Sequence, residues 1–161
     1  NLYDTQSFRL NIELFSENLL YNSYFNKKIF VKYDEIVNNL NSIKKWGNIN
    51  SLNSDEILTI ICSEEYQYLW NISKDIIDVC KDCELRYMCV DNRLPYERNE
   101  NEWYHKIECN YNPYIAKWED EEGYRTLAEC GVISNENGFS IDHEKIEEIN
   151  KELWEEEDVT D

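Results

Sequence analysis

Three of the six cysteines fall within ten positions, CKDCELRYMC at 80–89, and a fourth, Cys109, follows beyond a polar, aromatic stretch. The spacing is Cys80-x2-Cys83-x5-Cys89, then Cys109. An x2 step fits a tight turn that aims two sulfurs at one ion or cluster and leaves loop N–H groups free to hydrogen-bond them. The x5 step leaves room for one turn of helix, Glu84 to Met88, to bring the third thiolate round, and Cys109 closes the fourth position from a separate segment. Four thiolates suit zinc or a [4Fe–4S] cluster, and the spacing does not separate the two. Either centre leaves a charge of about −2 on the site. Lys81, Arg86 and Arg93 lie within or beside the loop, where they either offset that charge or form an ordinary solvated basic surface. The alternative to metal is a set of buried free thiols. Cys62 and Cys130 stand apart, Cys62 reading as a small buried hydrophobe within a helix.

The compartment bears on that choice. The start, NLYDTQSFRL, has neither the basic nor the apolar region of a secretory signal, so the chain is expected to be cytoplasmic. Reduced thiols there argue against a disulfide framework. A start without Met favours a fragment of a longer protein. No apolar run approaches the ~18–20 residues of a membrane span. Acids outnumber bases 34 to 16, for a net charge of −18. No basic face is visible for nucleic acid or for an anionic membrane, so neither partner is expected. With 161 residues, 42% of them hydrophobic and 14% aromatic, the chain can bury a real core.

Positioning four sulfurs requires a scaffold, and the pattern predicts one α+β domain of small sheet elements and several helices. Residues 8–26 read as an extended or short helical segment. Residues 27–39 read as a β-hairpin turning at Tyr33-Asp34-Glu35. Ser54 is a candidate N-cap for a helix running to about Tyr68, with Ile57, Ile60, Ile61, Tyr68 and Leu69 on one face. DIIDVC, 75–80, reads as a short strand delivering Cys80. RTLAECG, 125–131, reads as a turn or two of helix closed by Gly131. A turn around Asn137-Gly138 and a last helix capped by Asp142, with Ile146, Ile149, Leu153 and Trp154 as its apolar stripe, complete the chain; its tail EEEDVTD reads as frayed.

CKDCELRYMCVDNR resembles the core of the SPASM domain, the auxiliary-cluster domain of many radical-SAM peptide-modifying enzymes. YFNKKIFV, WGNI, YQYLW and ISKDIIDVCKDCE look like consecutive landmarks of that domain, and ECNYNPYIAKWEDEEGYRTLAECGV is similar to the SPASM-domain peptide maturases of grasp-with-spasm systems. The resemblance covers nearly the whole chain and implies two units, 1–131 as the SPASM-like auxiliary-cluster domain and 132–161 as a C-terminal helical extension packed on it. It implies a [4Fe–4S] cluster on Cys80, Cys83, Cys89 and Cys109. The family's other auxiliary cluster takes cysteines from the hairpin and from an x3 position; here the hairpin reads DEIVNNL and the x3 position is Arg93, so one cluster is expected rather than two.

The resemblance also implies partners: a ribosomally made precursor peptide, an ATP-grasp peptide ligase, and an N-terminal radical-SAM-like domain of the same protein. The C-x3-C-x2-C signature that cleaves S-adenosylmethionine is absent from these residues, so the chain is not expected to be catalytic alone. Full cysteine ligation leaves no open iron, which favours structural support or outer-sphere electron transfer. A second reading is a non-catalytic module with structural zinc that recruits a peptide or partner. Trp103, Tyr104, Tyr111, Tyr114 and Trp118 either line a peptide groove or serve as core and shielding around the centre. His105 falls near Cys109, His143 opens the last helix as an exposed residue, and no Ser–His–Asp, HExxH or phosphate loop appears.

Overall fold

The computed structural model describes residues 11–40, 42–100, 102–135 and 138–154. Among these the chain is a small α+β fold of four helices and several short sheets. The expectations for NLYDTQSFRL and for the EEEDVTD tail lie outside the described residues, as does Asn137.

Helix α1, Ile12–Asn18, starts where Asn11 turns its side chain back onto the N–H groups of Glu13 and Leu14. The expected hairpin follows as β1, Phe30–Lys32, and β2, Glu35–Val37, paired antiparallel. Its turn is Tyr33-Asp34, both at positive φ, and Glu35 already belongs to the return strand. A third strand, β3, Gly47–Asn48, adds to β2. Ile36 and Val37, on opposite faces of β2, are nearly fully buried, as are Phe25 and Tyr66, and the Trp46 and Trp70 rings stand edge-on to Tyr66.

The single helix expected from Ser54 to Tyr68 is broken in two. Its cap is Asn53, not Ser54: Asn53 accepts from Asp55 and Glu56 while Glu56 reaches back to the Asn53 N–H, a capping box. Helix α2, Ser54–Ile61, ends at Cys62, and Ser63 opens α3, Glu64–Gln67, followed by a 3-10 turn, Tyr68–Asn71. Ser63 wins because its hydroxyl caps Tyr66 N–H and donates to the Ile60 carbonyl, so the local hydrogen bonds close one helix and start another. Cys62 at this break is exposed, not the buried hydrophobe that helical spacing suggested.

The expected strand at 75–80 is also corrected. Lys74–Ile76 and Cys80–Asp82 are 3-10 turns, and only Ile77 makes a bridge, parallel to Trp103. Ile77 and Trp103 instead form a small core with Ile72, against which Leu69 and Cys80 pack. A hairpin of β4, Pro95–Asn99, and β5, Glu102–His105, carries Trp103 into that core. Short pairs follow: β6, Tyr111–Asn112, with β7, Lys117–Trp118, then β8, Val132–Asn135, with β9, Gly138–Ile141.

Residues 125–131 turn once, closed by bonds from Cys130 N–H to Thr126 and Leu127 and by Gly131 at φ +76. Helix α4, His143–Trp154, completes the chain, with Ile146 and Ile149 buried, Leu153 half-buried and Trp154 exposed over the Ile115 carbonyl. Ile115, Leu127, Cys130, Val132, Ile146 and Ile149 make the second core. Residues on both sides of position 131 thus share one apolar cluster. No described helix is long and apolar enough to cross a membrane.

Candidate metal centre

Cys80 stands at the head of the 3-10 turn that Ile77 and Asp78 fix in place. Asp78 N–H donates to the Trp103 carbonyl at 2.8 Å and Lys81 N–H to the Ile77 carbonyl at 2.9 Å. Between those anchors Val79 is forced to φ 68, ψ −50, a conformation a β-branched residue avoids at a cost of about 1–3 kcal/mol. The turn carries the x2 step: Cys83 N–H donates to the Cys80 carbonyl at 3.1 Å.

The x5 step is made of hydrogen-bonded turns, Arg86 N–H to Cys83 and Met88 N–H to Leu85, rather than the expected turn of α-helix. Helix α1 holds its far end, where the Asn18 amide donates to the Tyr87 carbonyl at 3.0 Å and to that of Cys89 at 3.5 Å. Cys109 comes from the link between β5 and β6. Two tyrosines tie the β6–β7 segment to the cysteine loop, Tyr111 hydroxyl on Glu84 and Tyr114 hydroxyl on Asp82 at 2.7 Å.

All four cysteines, half-buried, line one cavity of about 350 Å³. Its walls come from both cores, Leu127 and Val132 on one side and Cys80 on the other. The Cys80 and Cys109 sulfurs bear electrostatically on both Cys83 and Cys89. Burial pushes the Cys83 and Cys89 thiols up to about 12, and Cys109 up as well. Neutral thiols are the consequence of these walls; thiolates here need a cation to hold them.

Positive charge is gathered around the cavity in a chain whose net charge is −18. Lys74, Arg86, Arg93 and Lys106 line it against Asp78 and Glu108. Lys74 is 2% exposed, and its Nζ has no hydrogen-bond partner among the described residues. An ammonium buried without a partner is costly, so its retention calls for an anion in the space it faces. Of the three cations expected near the loop, Lys81 is exposed and pairs with Asp78, Arg86 pairs with Asp75, and only Arg93 is deeply buried.

Arg93 holds both oxygens of Asp91, its Nε at 3.0 Å from each and its second terminal nitrogen at 2.6 Å from Oδ2. That same nitrogen lies 3.7 Å from Cys80 Sγ, and the other donates to the Ile107 carbonyl at 2.8 Å. His105 completes the group. Its Nδ1 lies 3.2 Å from the Leu94 carbonyl, which only accepts, so Nδ1 carries a proton. Its Nε2 lies 3.3 Å from Asp91 Oδ2, close enough for an ion pair. Burial opposes charge on the ring, but bonds to Asp91 and Cys80 and the Asp91 charge outweigh it and raise its pKa to about 9. Asp91 is correspondingly held well below the usual carboxylate range: burial opposes this, and His105 and Arg93 overcome it.

Two donor sets therefore meet at Cys80. Cys80, Asp91 and His105 place one ligand atom each within 4.8 Å of one another, the one group of three or more that does so among the described residues. The guanidinium already seated on Asp91 makes this a poor place for a dication. The four sulfurs do not form such a group, and the cavity that they line fits zinc or a cluster by its donor set alone. Net positive walls suit the charge of about −2 that such a centre carries with four thiolates.

The remaining sequence-level candidates are dispersed. Cys62 is exposed and Cys130 is buried, with the Asn112 amide 3.4 Å from its sulfur. His143 is exposed. Trp103, Tyr111 and Trp118 are buried and Tyr104 and Tyr114 half-buried, with only Tyr104 and Tyr111 at the cavity. Sequence reasoning missed Lys74 and Asp91, which stand within the pattern as an ordinary surface lysine and an ordinary loop acid. No protein-family model, curated protein or solved structure matches this chain.

Proposed function

We propose that this chain is an auxiliary iron–sulfur domain, SPASM-like in character, which holds one [4Fe–4S] cluster on Cys80, Cys83, Cys89 and Cys109. The observation that carries the reading is the convergence of these four thiols on one cavity with an unpartnered buried lysine in its wall. When bound, the cluster would supply a one-electron couple and a covalent brace between the 80–89 loop and the β5–β6 link. The chain's own residues hold it and shield it: Val79, Leu127, Val132 and Phe139 limit water, while Arg93 and Lys74 offset its charge. The wider role, supported by the resemblance of the cysteine loop and its flanks, is to serve a peptide maturase acting on a ribosomally made precursor peptide beside an ATP-grasp ligase. A cytoplasmic setting is part of the same proposal, because the thiols must stay reduced to receive the cluster.

A structural-zinc module that recruits a peptide or partner protein is the second reading. The observation on its side is that Cys80, Asp91 and His105 are the one group among the described residues whose ligand atoms lie within 4.8 Å of one another; the Arg93 guanidinium on Asp91 counts against it. Iron, zinc and acid-labile sulfide analysis of anaerobically purified protein separates the two. Iron and sulfide with absorption near ~400 nm supports the cluster; stoichiometric zinc in a colourless protein removes the electron-transfer role.

A further inference from the structure

Lys74 is buried as thoroughly as the core isoleucines, yet its ammonium finds no acceptor. Its backbone is fixed by the 3-10 turn Lys74–Ile76, and its side chain enters the cavity from the wall beside Cys89. In the same cavity wall, Arg93 points one nitrogen at Cys80 Sγ from 3.7 Å and is locked there by Asp91. The other basic side chains of the wall are engaged, Arg86 with Asp75 and Lys106 over the Tyr96 ring. Lys74 is thus the lysine of the wall that makes no hydrogen bond or ion pair among the described residues.

We propose that Lys74, together with Arg93, sets the reduction potential of the centre by offsetting the negative charge that one electron adds. This deepens the proposed function and rests on it. With four thiolates, a [4Fe–4S] centre passes from about −2 to about −3 on taking one electron from a low-potential donor, with no bond made and no proton moved. A charge fixed in a low-dielectric wall stabilises the −3 state more than the −2 state, so it raises the potential. Before the centre is in place the same charge faces neutral thiols and destabilises the fold. Lys74 therefore acts with opposite sign on the empty chain and on the reduced centre, which a purely structural lysine does not.

The test is Lys74→Met, which keeps the length and apolar stem of the side chain and removes the charge. Iron and sulfide content, the redox potential by dye-mediated titration with dithionite, and the urea midpoint of the metal-free chain are measured for both proteins. The expected results are an unchanged four-iron content, a one-electron equilibrium at least tenfold less favourable to reduction, which is about 59 mV, and a raised midpoint without metal. A folded Lys74→Met chain that takes up no iron, with uptake restored in Lys74→Arg, supports the same role. An unchanged potential in a fully loaded variant overturns the proposal, as does a variant that unfolds or loses stability without metal. Wild-type protein without sulfide overturns the proposed function itself, and this inference falls with it.

Discussion

Asp91 is 1% exposed and carries two cationic neighbours, Arg93 and His105. Removing one partner of such a buried group costs about 3–5 kcal/mol, because the other charge is left in a poor medium. The pair gives the metal-free protein a defined pH response. His105 has a folded pKa of about 9 against an unfolded value of about 6.5, so its stabilisation is complete below ~6.5 and is lost as the pH rises through about 9. Cys83 and Cys89, pushed up to about 12 by burial, add a further loss above ~8.5, where an unfolded thiol ionises. Urea midpoints of metal-free protein should therefore fall from pH ~6.5 to ~9. With the centre in place the slope should reverse up to pH ~8.5, since ligated cysteines are deprotonated while unfolded ones still hold their protons. Parallel slopes with and without metal would contradict ligation by these cysteines. The cysteine set itself was legible in the sequence because x2 and x5 steps are local. His105 was legible only as a neighbour of Cys109, and its partner Asp91 was not legible, because a contact across fourteen residues of hairpin leaves no periodic signal.

Elements here are short, and local hydrogen bonds decide them. The hairpin at β1–β2 and helix α4 followed alternation and a 3.6-residue stripe, and those parts were readable, whereas the β8–β9 pair was signalled only by a turn around Asn137-Gly138. The 75–80 segment looked like a strand from its Ile-Ile-x-Val composition, but its neighbours offer only the Trp103 backbone to pair with, so one bridge forms and the rest turns. The Ser54–Tyr68 helix failed where Ser63 could cap a new one. The φ of +76 at Gly131 is what a glycine closing a helical turn implies, while its close approach to α4 is seen only in the structure. A Cβ there would lie 2.7 Å from Asp142 Cβ. Gly131→Ala should therefore cost more than the ~1–2 kcal/mol of left-handed backbone alone, read as a lower urea midpoint, with the metal content of properly folded protein unchanged. A variant of wild-type stability would show that α4 shifts freely on the turn.

At the scale of the whole molecule, two small cores meet at the cavity, and neither is large. A centre that joins them should act as a staple. Chelation or oxidation that empties it is expected to lower the melting temperature and broaden the transition, and reconstitution to restore both. Net charge of −18 works against the compact state. Exposed ion pairs such as Lys44–Glu65 and Arg125–Glu152 contribute at most about 1 kcal/mol each, so salt should screen more repulsion than attraction. Raising NaCl from about 0.02 to about 0.5 M should raise the melting temperature of the metal-free protein. A decrease would mean that attractive pairs outweigh the acidic excess.

The central claim is that Cys80, Cys83, Cys89 and Cys109 hold one iron–sulfur cluster, and metal analysis of wild type beside Cys83→Ala tests it most directly. Both proteins are purified anaerobically and assayed for iron, zinc and acid-labile sulfide. About four irons and four sulfides per wild-type chain are expected, with most of both lost in Cys83→Ala. Full retention of metal and fold in Cys83→Ala, or wild-type protein with no sulfide, would contradict it.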